Sequence, residues 1–362
     1  MRPATRRILA LALVLAVMVA GAATAFSQNA LRSENALRSE GAPSQSVARS
    51  VPAPVRIKVD AARIDAFDAR APERRRVGAL DFIGGLDLTS PHREFGGFSG
   101  LRMLPDGEHF VAVSDRAYWL TGRLVYDQGR PAAVTEAEMA PLLGPDGRTL
   151  RSIGWYDTES LAFDGDSMLY VGIERVHRIV RFDFARSGLL ARGEPVAVPP
   201  DLARLPANKG IEGLAVVPAG APLAGTLIAI SERGLDRAGN IKGFLIGGPS
   251  PGEFSVKRRD DFDISDAARL PSGDLVLLER RFSWMSGLAV RLRRVPAGTI
   301  RPGAILDGAI LMTADMGSQI DNMEGLGVHR DQAGDTVLTL ISDDNFSFLQ
   351  RTLLLQFRLV GE

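Results

Sequence analysis

Five copies of one hairpin unit run from residue 99 to residue 345, and a repeat of this kind limits the fold more than any other property of the chain. Each copy opens with an acidic or serine residue before a strand of small apolar groups, turns through Gly or Asp, and returns on a strand that ends in an acid. The first three read Ser99-Gly100-Leu101 to Val113-Ser114-Asp115-Arg116, Glu159-Ser160-Leu161 to Ile173-Glu174-Arg175, and Glu212-Gly213-Leu214 to Ile230-Ser231-Glu232-Arg233. The last two read Asp266-Ala267-Ala268 to Leu278-Glu279-Arg280, and Glu324-Gly325-Leu326 to Ile341-Ser342-Asp343-Asp344-Asn345. Successive copies start 60, 53, 54 and 58 residues apart. Four short strands and their turns fill that length, which is one blade of a β-propeller.

Further strands are expected behind the hairpins: Arg178 to Phe184 and Pro195 to Val198, Gly243 to Ile246 and Phe254 to Arg258, Ala289 to Val295 and Ala309 to Thr313. After the fifth hairpin only Thr352 to Val360 remains, so the missing strand of that blade is expected from Val77 to Leu88. The two ends of the domain then close the ring, which removes free sheet edges. The expectation is an all-β chain, a single β-propeller of five four-stranded blades. A sixth blade stays open if residues 55–90 or 121–155 hide a divergent copy. No apolar pattern at spacings of three and four runs for ten residues past Ala62, which excludes a helical fold.

Propeller geometry gathers charge. The first acid of each copy opens the innermost strand and the second closes its antiparallel partner, so both lie at one sheet edge. Ring closure is expected to bring Glu159, Glu212, Asp266 and Glu324 around the tunnel opening, with Asp115, Glu174, Glu232, Glu279 and Asp343 just outside. Carboxylates this close repel one another unless a cation, arginines or protons intervene. The chain has no cysteine and four histidines, so thiol chemistry and Cys-ligated metals are excluded. An oxygen-liganded hard cation is the remaining metal candidate, and Ca²⁺ takes six to eight such ligands. The expected ligand set is Glu159, Glu212, Asp266, Asp321, Glu324 and Asp343. Alternatively Arg116, Arg175, Arg233 and Arg280, each directly after a second acid, weld neighbouring blades through ion pairs.

The N-terminus reads as an address. Arg2, Arg6 and Arg7 precede the apolar run Ile8 to Ala20, and Ala23-Thr24-Ala25 supplies a small-x-small cleavage pattern. Residues 1–25 are therefore expected to be a signal peptide, an uncleaved membrane anchor being the alternative. Residues 26–54 repeat Asn29 to Glu34 word for word as Asn35 to Glu40 and carry few large apolar groups, the composition of a disordered linker. Residues 55–362 are the folded domain, expected to be a periplasmic or secreted monomer held near a membrane or cell wall by its linker. The 43 basic and 43 acidic residues cancel and aromatic residues are 6% of the chain, so neither the positive field nor the stacking surface of a nucleic-acid binder is present.

A serine nucleophile is not expected, because Gly97-Phe98-Ser99-Gly100 has Leu101 where a nucleophile elbow needs a second Gly. His92, His109, His177 and His329 stand singly in turns or strands, where structural roles prevail. The segments Asp157-Thr158-Glu159-Ser160-Leu161-Ala162-Phe163, Asn208-Lys209-Gly210-Ile211-Glu212-Gly213-Leu214-Ala215 and Asp321-Asn322-Met323-Glu324-Gly325-Leu326 together resemble the phytase-like family described as having esterase-like activity of phytase. The resemblance covers roughly residues 77 to 360 and implies a propeller related to the calcium-dependent β-propeller phytases, which act on phosphate esters with metal ions at the mouth. It implies an exported, metal-assisted hydrolase of phosphate or carboxylic esters, with a small-molecule ester or phosphoester as partner. Glu159, Glu212 and Glu324 would be ligands or general base, and Lys209, Arg175 and Arg233 the anion clamp. The alternative is a non-catalytic periplasmic propeller that binds a ligand or protein at the same mouth.

Overall fold

The computed structural model describes residues 53–361 apart from residue 166. The expected signal peptide and all but the last two residues of the expected linker lie outside the described residues. Among the described residues no helix is long and apolar enough to cross a membrane.

The chain begins with β1 (Val55–Arg56), β2 (Asp60–Ile64), β3 (Arg76–Val77) and β4 (Leu80–Thr89). Blade 1 follows as β5 (Phe98–Met103), β6 (His109–Ser114), β7 (Tyr118–Asp127) and β8 (Arg130–Pro141), and blade 2 as β9 (Thr158–Phe163), β10 (Met168–Ile173), β11 (Arg178–Asp183) and β12 (Glu194–Val196). Blade 3 holds β13 (Ile211–Val216), β14 (Thr226–Leu235), β15 (Ile241–Gly247) and β16 (Gly252–Val256). Blade 4 holds β17 (Asp263–Arg269), β18 (Leu275–Ser283) and β19 (Gly287–Val295). Next come β20 (Ile305–Leu306), parallel to β16 at the rim of blade 3, and β21 (Ala309–Asp315), which completes blade 4. Blade 5 is β22 (Met323–Arg330), β23 (Thr336–Ser342) and β24 (Thr352–Leu359), and its fourth strand is β4.

This is a five-bladed propeller closed as the sequence predicts. β4 lies antiparallel to β24 from Leu80 opposite Leu359 to Leu88 opposite Thr352, and β2 adds a further strand outside it. The segments that left a sixth blade open are absorbed: β1 pairs with β8 in blade 1, β2 to β4 join blade 5, and β7 and β8 complete blade 1.

Alternating apolar residues give each blade two buried faces, and five apolar clusters fill the five gaps between neighbouring blades. The inner strands β5, β9, β13, β17 and β22 pack side by side around the axis. Glycine next to the inner acid or serine allows this approach in several blades. A Cβ on Gly325 would lie 2.9 Å from the Leu101 nitrogen of the next inner strand, and one on Gly100 would lie 2.9 Å from Leu161 Cβ.

The axis is not open. Arg102 of β5, standing where the other blades carry Ala162, Ala215, Ala268 and Gly327, extends its guanidinium across it. The side chain donates to the carbonyls of Leu101, Leu214, Ala267 and Leu326 at 2.5–2.9 Å, and to Asp266 through two nitrogens at 2.7 and 3.0 Å. These partners come from blades 1, 3, 4 and 5, so one buried cation ties four inner strands together. It floors the mouth and separates it from a 210 Å³ cavity lined by Ala162, Ala215, Ala268 and Val328 on the opposite side.

Candidate cation site at the propeller mouth

Each inner strand carries a one-residue bulge at the same place, and the extra residues are Ser99, Glu159, Glu212, Ser265 and Glu324. A bulge interrupts the alternation of a strand and re-aims one side chain. The three glutamates at these bulges feel one another's charge across blades. The second ring is set by register. The amides of Asp115, Glu174, Glu232 and Asp343 donate to the carbonyls of Gly97, Asp157, Gly210 and Asn322, each two residues before its blade's bulge. In blade 4 the residue opposite Asp263, two before Ser265, is Arg280.

Blade 4 therefore departs from the sequence reading by one residue on both strands. A slip of one residue moves a side chain to the opposite face. Asp266 occupies the place of Gly100, Ser160, Gly213 and Gly325, where its carboxylate accepts the Leu326 amide at 2.7 Å and the two Arg102 bonds, fully buried on the axis. Glu279 occupies the place of Ser114, Ser231 and Ser342 and is buried against Arg293. Neither reaches the mouth. Arg281, stacked over Phe262 at 4.9 Å, takes the place expected for Arg280 as companion of Arg116, Arg175 and Arg233.

Arg280 takes the fifth place in the outer ring, among acids. It donates to Asn322 Oδ1 at 2.6 Å and lies 3.2 Å from Glu324 and 3.9 Å from Glu232. The carboxylates Glu324, Glu212, Glu232 and Asp343 hold its half-buried guanidinium firmly charged.

One arginine does not balance the mouth. Burial pushes Glu159 well above the usual carboxylate range, and the charges of Glu324, Asp157, Asp343 and Glu174 add to it. Glu212 is likewise raised well above that range, by burial and by Glu232, against the pull of Arg280. Asp343 is raised by burial and by Glu324. Glu174, Glu232 and Glu324 are raised too, each chiefly by burial. Asp115 is pushed up to about 7 by burial against the pull of Arg116, and its Oδ1 is buried without a hydrogen-bond partner. Asp157, two residues before Glu159, holds the left-handed conformation at φ 68°, which its counterpart Gly97 adopts at 62°.

Glu174, Glu212 and Glu232 each offer a carboxylate oxygen, and the three oxygens lie within 4.8 Å of one another. This oxygen-only set fits a hard divalent cation in donor chemistry, and the raised proton affinities mark a place where positive charge is favoured. The expected ligand set changes accordingly. Glu159, Glu212, Glu324 and Asp343 share the mouth, and Glu174 and Glu232 stand with Glu212. Asp266 is spent on Arg102, and Asp321 is turned to the Gln350 side chain and the Arg351 amide at 3.3 and 3.1 Å.

The expected anion clamp is spread around the rim. Lys209 lies close enough to Glu174 and Glu232 to favour their charged forms. Arg233 pairs with Asp263 of the next blade at 3.2 Å, and Arg175 stacks over Tyr156 at 4.4 Å. Three of the histidines stand at turns or strand ends. His109 binds Asp106 at 2.6 Å, His92 accepts the Glu94 amide, and His177 caps a short 3₁₀ turn. His329, late in β22, packs against the Gly107 turn on the face away from the mouth. Arg280 welds blade 4 to Glu232 of blade 3 and Glu324 of blade 5, the alternative role the sequence offers for it, while Arg102 has no place in the sequence expectation. The signal for Arg102 was its size at a position where every other repeat has Ala or Gly.

Among solved structures, the chain is similar to one titled Structure of U3-55K, at 12% identity and a TM-score of 0.36, covering 75% of this chain and 98% of that one. The WD40 repeats of RRP9 align at 12% identity and a TM-score of 0.37, covering 78% and 99%. A putative oxidoreductase (glucose dehydrogenase) from Thermus thermophilus aligns at 17% identity and a TM-score of 0.31, covering 83% and 99%. No curated protein matches the chain. Residues 93–346, which contain all five inner strands and both rings of mouth residues, match the phytase-like family described as "Esterase-like activity of phytase", and the chain belongs to that family.

Proposed function

We propose that the domain is an exported, cation-assisted hydrolase of phosphate or carboxylic esters that works at the carboxylate mouth. The observation that carries the reading is the imbalance there: of the mouth acids, Glu212, Glu232, Glu324 and Asp343 share one ring arginine, Arg280, and these four together with Asp115, Glu159 and Glu174 all hold their protons more tightly than a free carboxyl. Family membership supports a phytase-like hydrolase in general terms, and the oxygen-only donor set supports Ca²⁺ over softer metals.

Glu174, Glu212 and Glu232 would hold the cation, with Glu159 and Glu324 next to it in the inner ring. A bound divalent cation supplies polarisation of the ester oxygen and acidification of water. The chain's own groups do the rest. Arg280 bridges the carboxylates of Glu324 and Glu232 and offsets their mutual repulsion. Lys209 and Arg233 border the cluster and favour an anionic group above it. Asp115, titrating near neutrality, is suited to take and return a proton. In the net reaction the oxygen of water joins the acyl carbon or phosphorus, the bond to the alcohol oxygen breaks, and the released alcohol carries the proton that water loses.

The experiment is a thermal-shift titration of the purified domain with Ca²⁺ and with chelator, alongside turnover of 4-nitrophenyl acetate and 4-nitrophenyl phosphate. The reading expects stabilisation by Ca²⁺ and turnover of at least one ester that chelator removes. Full turnover and unchanged stability in chelator would discard the cation, and stabilisation without turnover of any ester would leave a ligand-binding propeller.

A further inference from the structure

Large apolar side chains are not scattered evenly over this surface. Phe282, Trp284, Met285 and Met316 are 58, 73, 99 and 65% exposed, and Phe348 and Leu349 are 93 and 51% exposed. All six stand on the mouth side of blades 4 and 5. β18 begins at the turn Pro271–Asp274 on the far side, reaches the mouth at Arg280, and continues past it to Ser283, so the β18–β19 hairpin rises beyond the level of the mouth. Phe282 is two residues beyond Arg280 and on the same side of the strand, about 7 Å further out. That is the side from which Arg280 meets Asn322 and Glu324 of blade 5. Phe282 and Trp284 form an edge-to-face pair with ring centres 5.5 Å apart, and Met316 packs beside the hairpin at Gly287. Phe348 and Leu349 lie in the connection that follows Asp343 in blade 5. The equivalent of Phe282 in blade 3 is Gly234, so the aromatic wall is not repeated there.

From this continuity of an aromatic and methionine rim with a cation-favouring bowl we infer that the mouth takes an amphipathic ligand: an ester or its anionic product whose polar head sits at the carboxylates and whose acyl or aryl tail lies on Phe282, Trp284 and Met316. A fully polar, many-times-phosphorylated polyol has no use for such a wall. Rigid aromatic faces give contact area at little entropic cost, and methionine adapts to tails of different shape. The inference rests on the cation reading of the mouth and narrows it to a ligand class.

Binding without turnover tests it. The Ca²⁺-loaded domain is titrated by calorimetry with methyl-, butyl- and octylphosphonate, and the same series is run on Phe282→Ser/Trp284→Ser. Both residues are exposed, and the melting temperature of the variant confirms that it folds. The expected result is affinity that rises about twofold per added methylene in the wild type, a fraction of what full burial of a methylene gives. In the variant that slope is flat, while methylphosphonate binding and the Ca²⁺ thermal shift are unchanged. A slope that is absent in the wild type, or equal in both proteins, overturns the inference while the Ca²⁺ shift stands. Loss of the Ca²⁺ shift itself in the wild type instead marks failure of the cation reading, and the inference falls with it. Sedimentation with neutral phosphatidylcholine vesicles, or concentration-dependent dimerisation, that the double variant abolishes with no tail slope in the wild type assigns the rim to a bilayer or a second copy and also overturns it.

Discussion

Replacing Arg280 by Gln removes the guanidinium from the acid ring and tests how the mouth is balanced. Arg280 lies 3.2 Å from a Glu324 oxygen and 3.9 Å from a Glu232 oxygen. At an effective dielectric constant of about 20 each contact is worth roughly 4–5 kcal/mol before desolvation is charged against it. Measured losses of one partner from a buried pair run at about 3–5 kcal/mol, and partial exposure of Arg280 places the expectation near the lower end, about 3 kcal/mol. For a domain of roughly 300 residues, an unfolding entropy of about 2 cal/mol/K per residue converts this to a melting temperature lower by about 5 °C. The assay is thermal unfolding in chelator at fixed ionic strength, with a calcium titration of the same samples. Because the variant mouth is more negative, Ca²⁺ should bind at least tenfold tighter, about 1.4 kcal/mol, and restore most of the lost stability. Arg280→Lys should fall between. A melting temperature within about 1 °C of wild type in chelator, together with unchanged calcium affinity, would refute the reasoning.

The axis and the inner strands give three further outcomes. Arg102→Met strands the Asp266 carboxylate and should cost about 3–5 kcal/mol by chemical denaturation, whereas Arg102→Met/Asp266→Asn should recover a large part, since a neutral isostere replaces the stranded charge. Burial raises Asp266 to about 6 against the pull of Arg102. The folded state then keeps a proton that the unfolded chain releases near its ordinary value, so Asp266 should contribute a fall in unfolding free energy of on the order of 2–3 kcal/mol between about pH 4 and 6, on top of the fall that the raised mouth carboxyls add over that range and above it. Asp266→Asn should make the fall over about pH 4–6 shallower by that amount and leave the part above about pH 6 unchanged. Gly325→Ala would set its Cβ 2.5 Å from Ile341 Cγ2 and 2.9 Å from the Leu101 nitrogen, an overpacking expected to cost about 1–3 kcal/mol, readable as a lower denaturation midpoint.

The propeller was legible because five hairpins at near-constant spacing can bury their apolar strands only by closing around an axis. The strand that completes blade 5 was legible from a missing partner for β24. Glu212 and Glu324 were legible because Glu-Gly-Leu states three demands at once: a bulged acid, a close backbone approach, and an apolar contact with the next blade; Glu159 was legible from the same place in the repeat, with Ser160 for the glycine. Blade 4 was misaligned because it offers acids at both apparent positions, Asp266 and Glu279, one residue away from the true ones. Periodicity along a strand does not reveal where a bulge absorbs a residue, and a slip of one reverses the faces. That slip hid Arg280 as a mouth residue and Asp266 as the partner of Arg102. The triad of Glu174, Glu212 and Glu232 was half-legible: the residues were placed in two rings, but their proximity depends on how blade 2 leans on blade 3, where Glu174 accepts the Gly210 amide at 2.7 Å.

The most direct test of a cation at the mouth is the calcium-induced thermal shift of Glu212→Gln beside the wild type. Glu212 stands with Glu174 and Glu232 and feels the charge of Glu232, so the account predicts that the variant is at least as stable as wild type in chelator. Wild type should gain several degrees in excess Ca²⁺, about 2.7 kcal/mol at roughly a hundredfold the dissociation constant, and the variant should gain little. A wild type indifferent to Ca²⁺, or a variant that is destabilised in chelator yet keeps the full shift, would contradict it.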